Sequence, residues 1–158
     1  MARDGGALNS LQKLLRRRGL TICAAESCTG GLVCAALTQL PGSSDYFLGG
    51  VVTYANEAKM EQLGVDQVTL DRVGAVSGEV AQQMARGARG LFSADLAVSV
   101  TGIAGPGAHG TKPAGLTFIG AAFEDRVEVR EFHWTGDRAS NRAASVEAAL
   151  WLAVEIMS

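Results

Sequence analysis

The sequence predicts an α/β fold: a three-layer α/β/α sandwich with a mixed, mostly parallel central sheet that a C-terminal hairpin closes. Three observations support this prediction. Short apolar strands alternate with amphipathic helices through the first hundred residues, as in consecutive βαβ units. The stretch 96–100 is almost entirely apolar, which is typical of a central strand buried on both faces. Two strand-like segments, 116–123 and 126–134, flank Glu124-Asp125 and predict an antiparallel hairpin.

Helical spacing of apolar residues, together with residues that begin or end helices, defines the N-terminal half. Gly19 and Gly64 stand where C-cap glycines belong, and Pro41 stops a helix. Asn56 is predicted to be an N-cap. The predicted elements are a helix over 8–18, a strand over 20–25, a helix over 29–40, a strand over 47–54, and a helix that Asn56 begins and Gly64 ends.

Two helix caps and one long loop organise the second half. Ser77 caps a long helix after a short helical turn at 69–73, and Asp137 caps a last helix that runs to the C-terminus. About 14 glycine-rich residues separate the strand at 96–100 from the hairpin, and loops of that length are usually functional or mobile. In the last strand the apolar alternation slips near Arg130-Glu131, which predicts a β-bulge.

Length and composition indicate one domain over 1–158, with residues 1–7 as a flexible N-terminus. Hydrophobic residues make up 47% and charged residues 19%, as in folded globular proteins. The net charge is −2 and the single basic run, 16–18, lies at a predicted helix C-terminus, so we expect no nucleic-acid partner. No apolar run reaches the roughly 18 residues of a membrane span. We therefore expect no membrane partner and a cytoplasmic location.

Cysteine and histidine usage argues against disulfides and metals. Cys23, Cys28 and Cys34 are odd in number and close together, which indicates free thiols in a reducing compartment. With two histidines and no paired-cysteine spacing, we expect no metal site. Both histidines, His109 in the loop and His133 on a strand, are predicted to be exposed.

Three predicted strand ends carry polar residues. Ligands in open α/β sheets bind beyond the carboxyl ends of parallel strands, so Ser27, the segment 54–59 and Thr101-Gly102 are predicted to line one crevice. Ser27 is the candidate nucleophile, and Lys59 is the candidate base, because a lysine made neutral by burial can take a serine proton. Cys28 is an alternative nucleophile, since a helix N-terminus lowers a thiol pKa.

Groups that can bind anions surround the same predicted crevice. The backbone N–H groups of residues 28–30, at a predicted helix start, can stabilise an oxyanion or bind a phosphate. The glycine-rich segment 101–107 can cradle a second polar part of the ligand. Arg138 and Arg142, on the first turns of the last helix, are candidate phosphate partners because a guanidinium gives bidentate contacts.

Several sequence motifs follow one another along the chain. They are 25–31 (AESCTGG), 49–54 (GGVVTY), 56–59 (NEAK), 74–77 (GAVS), 99–107 (SVTGIAGPG), 112–113 (KP) and 136–138 (GDR). Together they resemble the C-terminal domain family of the competence/damage-inducible protein CinA, from about residue 8 to the end. That family includes nicotinamide-nucleotide amidohydrolases. The resemblance implies hydrolysis of nicotinamide mononucleotide to nicotinate mononucleotide and ammonia, with no cofactor.

The resemblance also implies residue roles. Ser27 would be the nucleophile, Lys59 its general base, and Tyr54 a participant in the proton path. The partner molecule would be a small nucleotide substrate. The implied substrate-binding residues are Thr29, Gly30, Gly31, Asn56, Thr101, Gly102 and Arg142.

Two other functions stay open. The segment 107–112 is shorter and less rich in glycine than the family pattern, which motivates a nucleotide-binding or regulatory module without turnover. The reaction machinery does not name the leaving group, so an amidase for another small amide is a further alternative. The small domain, and apolar positions expected to be exposed on its terminal helix, make a homodimer plausible.

Overall fold

The structure, a computed structural model, describes residues 5–158. Its strands are β1 Ile22–Glu26, β2 Phe47–Val52, β3 Leu96–Gly102, β4 Leu116–Phe123 and β5 Arg126–His133. They form one sheet in the order β2-β1-β3-β4-β5. β1 pairs in parallel with β2 and β3, and β4 pairs antiparallel with β3 and β5, so only β4 runs against the others. The predicted mixed, mostly parallel sheet is confirmed. The predicted closure by the C-terminal hairpin is wrong: the sheet stays open, and the β4–β5 hairpin forms one edge.

Helices cover both faces of this sheet. They are α1 Gly6–Arg18, α2 Leu32–Leu37, α3 Asn56–Leu63, α4 Gln67–Val73, α5 Gly78–Phe92 and α6 Arg138–Ile156. Residues of α1, α2 and α6 share one core, and residues of α3, α4 and α5 share the other. In β1, Ala24 belongs to the first core while Cys23 and Ala25 belong to the second, as expected for a strand buried on both faces. The three-layer α/β/α architecture is confirmed.

Local capping signals are confirmed at four helix ends. Ser77 and Asp137 each accept a backbone N–H at the start of α5 and α6. Gly19 and Gly64 end α1 and α3 with φ of 63° and 68°, the left-handed conformation that glycine adopts without steric cost. The sequence-predicted cap of α3 is wrong. Ala55 takes the extended N-cap conformation, and Asn56 is already the first helical residue.

The starts of α1 and α2 also differ from the prediction. The helix predicted over 29–40 is shorter, because Gly30 and Gly31 have φ of 57° and 110° and these values are incompatible with an α-helix. The predicted flexible segment 1–7 is also wrong in part, since α1 begins at Gly6 and Ala7 is buried. Residues 1–4 lie outside the described residues.

The predicted bulge at Arg130-Glu131 is absent. Each residue of β5 pairs with one residue of β4 in unbroken register. The apolar alternation slips because the strand changes the face that it buries. Val129 lies against the start of α5, where a Cβ on Gly78 would be 3.6 Å from it, whereas Phe132 packs into the core that contains α6.

The exposed apolar positions expected on the terminal helix are not found. The large apolar residues Leu150, Leu152 and Ile156 of α6 are buried, because this helix packs against α1 and against β3 and β4. The large apolar side chains that are exposed within residues 5–158 are Leu32, Leu48, Val52, Tyr54, Val68 and Leu91. A homodimer therefore stays a prediction without support from this helix. Across the same residues, no helix has the length and apolar character needed to cross a membrane.

A glycine sets the separation between α3 and α5. A Cβ on Gly87 of α5 would stand 2.0 Å from the Leu63 carbonyl oxygen at the end of α3. The backbone of one helix therefore occupies the space that a side chain of the other would need. Since α3 also carries Lys59, this close approach positions the lysine relative to the sheet.

We expect Gly87→Ala to lower the free energy of unfolding by about 1–3 kcal/mol, because the added methyl group overpacks two backbones. Gly90→Ala is the matched control, since it lies in the same helix and an added Cβ would meet nothing within 4 Å. It should raise the free energy of unfolding by about 0.5–1 kcal/mol through the helix preference of alanine. Urea unfolding measures both variants. Equal effects at the two positions would contradict the close contact.

Candidate active site

Ser27 lies in a tight turn at the carboxyl end of β1. Its N–H donates to the Val100 carbonyl at 2.9 Å, which extends the pairing with β3, and its own carbonyl accepts the Gly30 N–H at 3.1 Å. Ser27 is 9% exposed and lines a cavity. The turn therefore holds the hydroxyl at the end of the central strands, facing the space where a ligand can bind.

Glu26, the residue before Ser27, is a fully buried acid that holds the start of α2. Its carboxylate accepts the N–H of Val33 at 2.8 Å and the N–H of Cys34 at 3.1 Å. Free N–H groups and the positive end of the dipole make a helix N-terminus a favourable place for a carboxylate. Glu26 thus links β1, the Ser27 turn and α2. This role of Glu26 is not among the predictions from the sequence, although an acidic residue at the end of an apolar strand could have indicated it.

Lys59 is 1% exposed, and its amine lies beside the serine. Nζ is 3.0 Å from Ser27 Oγ and donates to the carbonyl oxygens of Thr53 at 2.7 Å and Tyr54 at 3.1 Å. Burial lowers the pKa of Lys59 below its ordinary 10.5, and the neighbouring Cys28 opposes this to a smaller extent. Within residues 5–158, no ion pair joins Lys59 to a carboxylate.

The contacts of Lys59 Nζ fit both protonation states: an ammonium donates at all three contacts, and a neutral amine donates at two and accepts at the third. Such an amine has two N–H groups and one lone pair. The carbonyl oxygens of Thr53 and Tyr54 take the two N–H groups. The lone pair is then free to accept the Ser27 hydroxyl at the third contact. The site therefore places a serine hydroxyl beside a buried amine, and burial favours the neutral, basic form of that amine.

Cys28 is a weaker nucleophile candidate than its neighbour. It is 7% exposed, and burial raises the pKa of its thiol to about 11, although Arg142 and Lys59 act in the opposite direction. The thiolate is therefore scarce near neutral pH. The helix N-terminus that was predicted to activate it starts only at Leu32.

Tyr54 contacts Lys59 through its backbone, and its phenol lies elsewhere. The carbonyl oxygen accepts from Lys59, while the phenol oxygen accepts from Arg138 Nη2 at 3.4 Å. Tyr54 is 61% exposed and lines the cavity. Within the described residues, the phenol forms no hydrogen bond with Ser27 or Lys59. The structure therefore does not bring this hydroxyl into the proton path that the resemblance implies.

The cavity beside Ser27 and Lys59 has a volume of about 830 Å³. Three chain segments form its walls: 54–57 at the start of α3, 73–76 before α5, and 101–112 after β3. Ligand sites for small molecules and cofactors typically span about 300–1,000 Å³. The cavity is therefore large enough for a mononucleotide.

The glycine-rich loop is anchored to the opposite wall. Lys112 Nζ donates to two carbonyl oxygens of the 73–76 segment, and Thr101 Oγ1 donates to the Ala75 carbonyl at 2.8 Å. Inside the loop, His109 and Lys112 exchange backbone hydrogen bonds of 2.9 and 3.1 Å. The loop thus has a defined conformation despite its lack of periodicity. His109 and His133 are exposed, as predicted.

Arg142 of α6 binds the turn at residues 27–30, which we call the nucleophile turn after its candidate nucleophile Ser27. Its Nε donates to the Cys28 carbonyl at 3.1 Å, and its Nη2 donates to the Thr29 carbonyl at 3.2 Å. The guanidinium is therefore engaged by the protein backbone, and Arg142 does not line the cavity. This arrangement supports a positioning role and differs from the predicted role as a phosphate partner.

Two other α6 side chains hold the glycine-rich loop. Asn141 is buried and donates to the Ala104 carbonyl at 3.0 Å, and Arg138 donates to the Gly105 carbonyl at 2.7 Å. Unlike Arg142, Arg138 lines the cavity. No local signal in the sequence points to Asn141, whereas Lys112 lies in one of the motifs and could have been found there.

The predicted site residues fall into two groups. Thr29 is fully buried and does not line the cavity, and Gly30 donates its N–H to the Ser27 carbonyl. Of the predicted oxyanion donors, the N–H of Cys28 is the one that belongs to a residue lining the cavity. Predicted residues that line the cavity are Ser27, Tyr54, Asn56, Lys59, Thr101 and Gly102. Predicted residues that do not line it are Thr29, Gly30, Gly31 and Arg142. In residues 5–158, no three His, Cys, Asp or Glu side chains gather as a metal site would require.

Comparison with known proteins connects this site to one family. The family model described as CinA C-terminal domain matches residues 6–157. A "CinA-like protein" of Geotalea daltonii is 47% identical over 160 residues, covering 99% of this chain and 39% of that protein. A relative from Caldicellulosiruptor saccharolyticus, named for competence-damage inducibility, is 51% identical over 139 residues, or 87% of this chain and 34% of that protein. The chain thus spans little more than a third of these relatives.

Solved structures share the fold over at least 94% of their length. The competence/damage inducible protein CihA from Agrobacterium tumefaciens is 39% identical, with a TM-score of 0.90 and full coverage of both chains. The competence damage-inducible protein A from Klebsiella pneumoniae is 34% identical, with a TM-score of 0.93 over 96% of this chain and 94% of that chain. The chain therefore belongs to the CinA C-terminal domain family.

Proposed function

We propose that the protein hydrolyses the carboxamide of nicotinamide mononucleotide to nicotinate mononucleotide and ammonia. The observation that carries this proposal is the 3.0 Å contact between Ser27 Oγ and the buried amine of Lys59. The substrate comes from the family resemblance of the motifs around this pair. The cavity volume of about 830 Å³ is compatible with a mononucleotide.

The first half-reaction forms an ester with the enzyme. Neutral Lys59 accepts the Ser27 proton as Oγ attacks the carboxamide carbon, which gives a tetrahedral oxyanion. The Lys59 ammonium then returns that proton to the amide nitrogen. The C–N bond breaks, ammonia leaves, and the nicotinoyl group stays on Ser27 as an ester.

The second half-reaction releases the acid. Lys59, again neutral, accepts a proton from water as the water oxygen attacks the ester carbon. The tetrahedral intermediate collapses, and Lys59 returns the proton to Ser27 Oγ. Nicotinate mononucleotide leaves as a carboxylic acid, which ionises at neutral pH. One water is consumed for each ammonia released, and the enzyme returns to its starting state.

Arg138 is the phosphate partner in this proposal. Its guanidinium is on the cavity wall, held by the Gly105 carbonyl and close to the Tyr54 phenol. A guanidinium has five N–H donors, so these two contacts leave others for a phosphate. Arg142, the other predicted partner, already donates to two backbone carbonyls.

We expect Ser27→Ala to reduce ammonia release from nicotinamide mononucleotide by at least about 10³-fold and Lys59→Met by about 10²–10⁴-fold. Lys59→Arg should be as inactive as Lys59→Met, because arginine keeps the charge and cannot act as a base.

Ser44→Ala and Lys13→Met are the matched controls, because both residues are exposed and outside the cavity. Cys28→Ala should keep most of the activity. Full activity in Ser27→Ala contradicts the mechanism, and wild-type binding without ammonia release indicates a non-catalytic module.

The pH dependence follows from the state of Lys59. The protonated amine cannot accept the Ser27 proton, so kcat/KM should rise with pH through one ionisation and level off where Lys59 is neutral. Because burial lowers the pKa of Lys59, the midpoint should lie below 10.5. Measurements above about pH 7 keep the substrate phosphate fully ionised. A midpoint at or above 10.5 would argue against a desolvated base, and Lys13→Met should leave the profile unchanged.

Arg138→Ala should raise KM for nicotinamide mononucleotide about 10–100-fold, because a hydrogen bond to a charged group contributes about 1.5–3 kcal/mol. It should have little effect on KM for nicotinamide riboside, which lacks the phosphate. Arg86→Ala, an exposed arginine on α5 outside this cavity, is the control. An equal change in KM for both substrates would show that Arg138 acts on the cavity walls and not on the phosphate.

A further inference from the structure

Tyr54 spans the distance between the reacting pair and the cavity wall that carries Arg138. Its carbonyl oxygen lies 3.1 Å from Lys59 Nζ, which is itself 3.0 Å from Ser27 Oγ. At the other end, the phenol oxygen lies 3.4 Å from Arg138 Nη2. The aromatic ring lies between these two ends.

The exposure of Tyr54 indicates a ligand-facing ring. It is 61% exposed although it lines a cavity, so a large part of the ring surface has no protein neighbour. Its hydroxyl is hydrogen-bonded to a cation and to neither member of the catalytic pair. A tyrosine in a proton relay needs its hydroxyl within hydrogen-bond reach of the groups it serves.

We propose that Tyr54 is a binding and specificity residue whose ring stacks on the cationic pyridinium of the substrate. This inference rests on the proposed function and deepens it. A substrate with its carboxamide at Ser27 and its phosphate at Arg138 must pass along the ring of Tyr54. Aromatic faces attract cations, and this attraction strengthens when water is excluded. The pyridinium of nicotinamide mononucleotide is such a cation, whereas the reduced dihydropyridine ring is neutral.

The first test distinguishes the contribution of the Tyr54 ring from that of its hydroxyl group. Tyr54→Phe keeps the ring, so both turnover and KM for nicotinamide mononucleotide should stay within about 3-fold of wild type. Tyr54→Leu removes the ring, and KM should rise at least 10-fold while turnover stays within about 3-fold. If Tyr54→Phe instead slows turnover by 100-fold or more at unchanged KM, the proposal is overturned in favour of proton transfer.

The second test measures nucleotide binding in a variant that does not turn the substrate over. Calorimetry in a Ser27→Ala background compares nicotinamide mononucleotide with its reduced form, which differs in ring charge. With Tyr54 present, the oxidised form should bind at least 5-fold more tightly, and Tyr54→Leu should remove most of that preference. A preference that persists in Tyr54→Leu overturns the proposal.

These results also separate the inference from the proposed function. Binding that depends on the Tyr54 ring, without ammonia release by the wild type, supports the stacking role and overturns the amidase. Ammonia release with an unchanged KM in Tyr54→Leu supports the amidase and overturns the stacking role. A wild-type protein that does not bind the nucleotide overturns both.

Discussion

The candidate site depends on one desolvated amine. Lys59 is 1% exposed and has no carboxylate partner within the described residues, so its charged form is disfavoured and its basic form is accessible. Two backbone carbonyls bind the N–H groups and aim the third position of the amine at Ser27. A buried lysine in an ion pair would be held in its charged form. The absence of a counter-charge among the described residues therefore suits Lys59 to the role of base that is proposed for it.

Much of the surrounding structure helps to keep Ser27 and Lys59 in contact. Ser27 follows the central strand β1, and the buried Glu26 joins that strand to α2. Lys59 comes from α3, whose distance to α5 is set by the contact between Gly87 and Leu63. The candidate nucleophile and the candidate base thus belong to separate βα units of one sheet. Their distance therefore depends on how the helices pack against that sheet.

The last helix joins parts of the site that are far apart in sequence. Arg142 holds the carbonyl groups of the nucleophile turn, while Asn141 and Arg138 hold the glycine-rich loop. These three residues lie within the first two turns of α6, which Asp137 caps. A change in the position of α6 would therefore move both sides of the cavity. The C-terminal helix is in this sense part of the site, although only Arg138 of the three lines the cavity.

Features that depend on local physics can be predicted from the sequence alone. Apolar periodicity predicts the strands and most helices, and glycine or hydroxyl caps predict helix ends at Gly19, Gly64 and Ser77. The rule that ligands bind at the carboxyl ends of parallel strands places Ser27 and Lys59 at one crevice. The apolar alternation in β5 is misleading because one strand can bury opposite faces along its length. Which face is buried at each position becomes clear only from the helices that pack against the strand.

The contacts of the long side chains emerge only from the tertiary structure. Arg138 and Arg142 are a turn apart on one helix and look equivalent as phosphate partners, yet one lines the cavity and the other binds backbone carbonyls. The family resemblance implies a place in the proton path for Tyr54, but its phenol contacts Arg138. A long side chain can reach several acceptors that packing brings from distant segments, and no local pattern encodes which of them it binds.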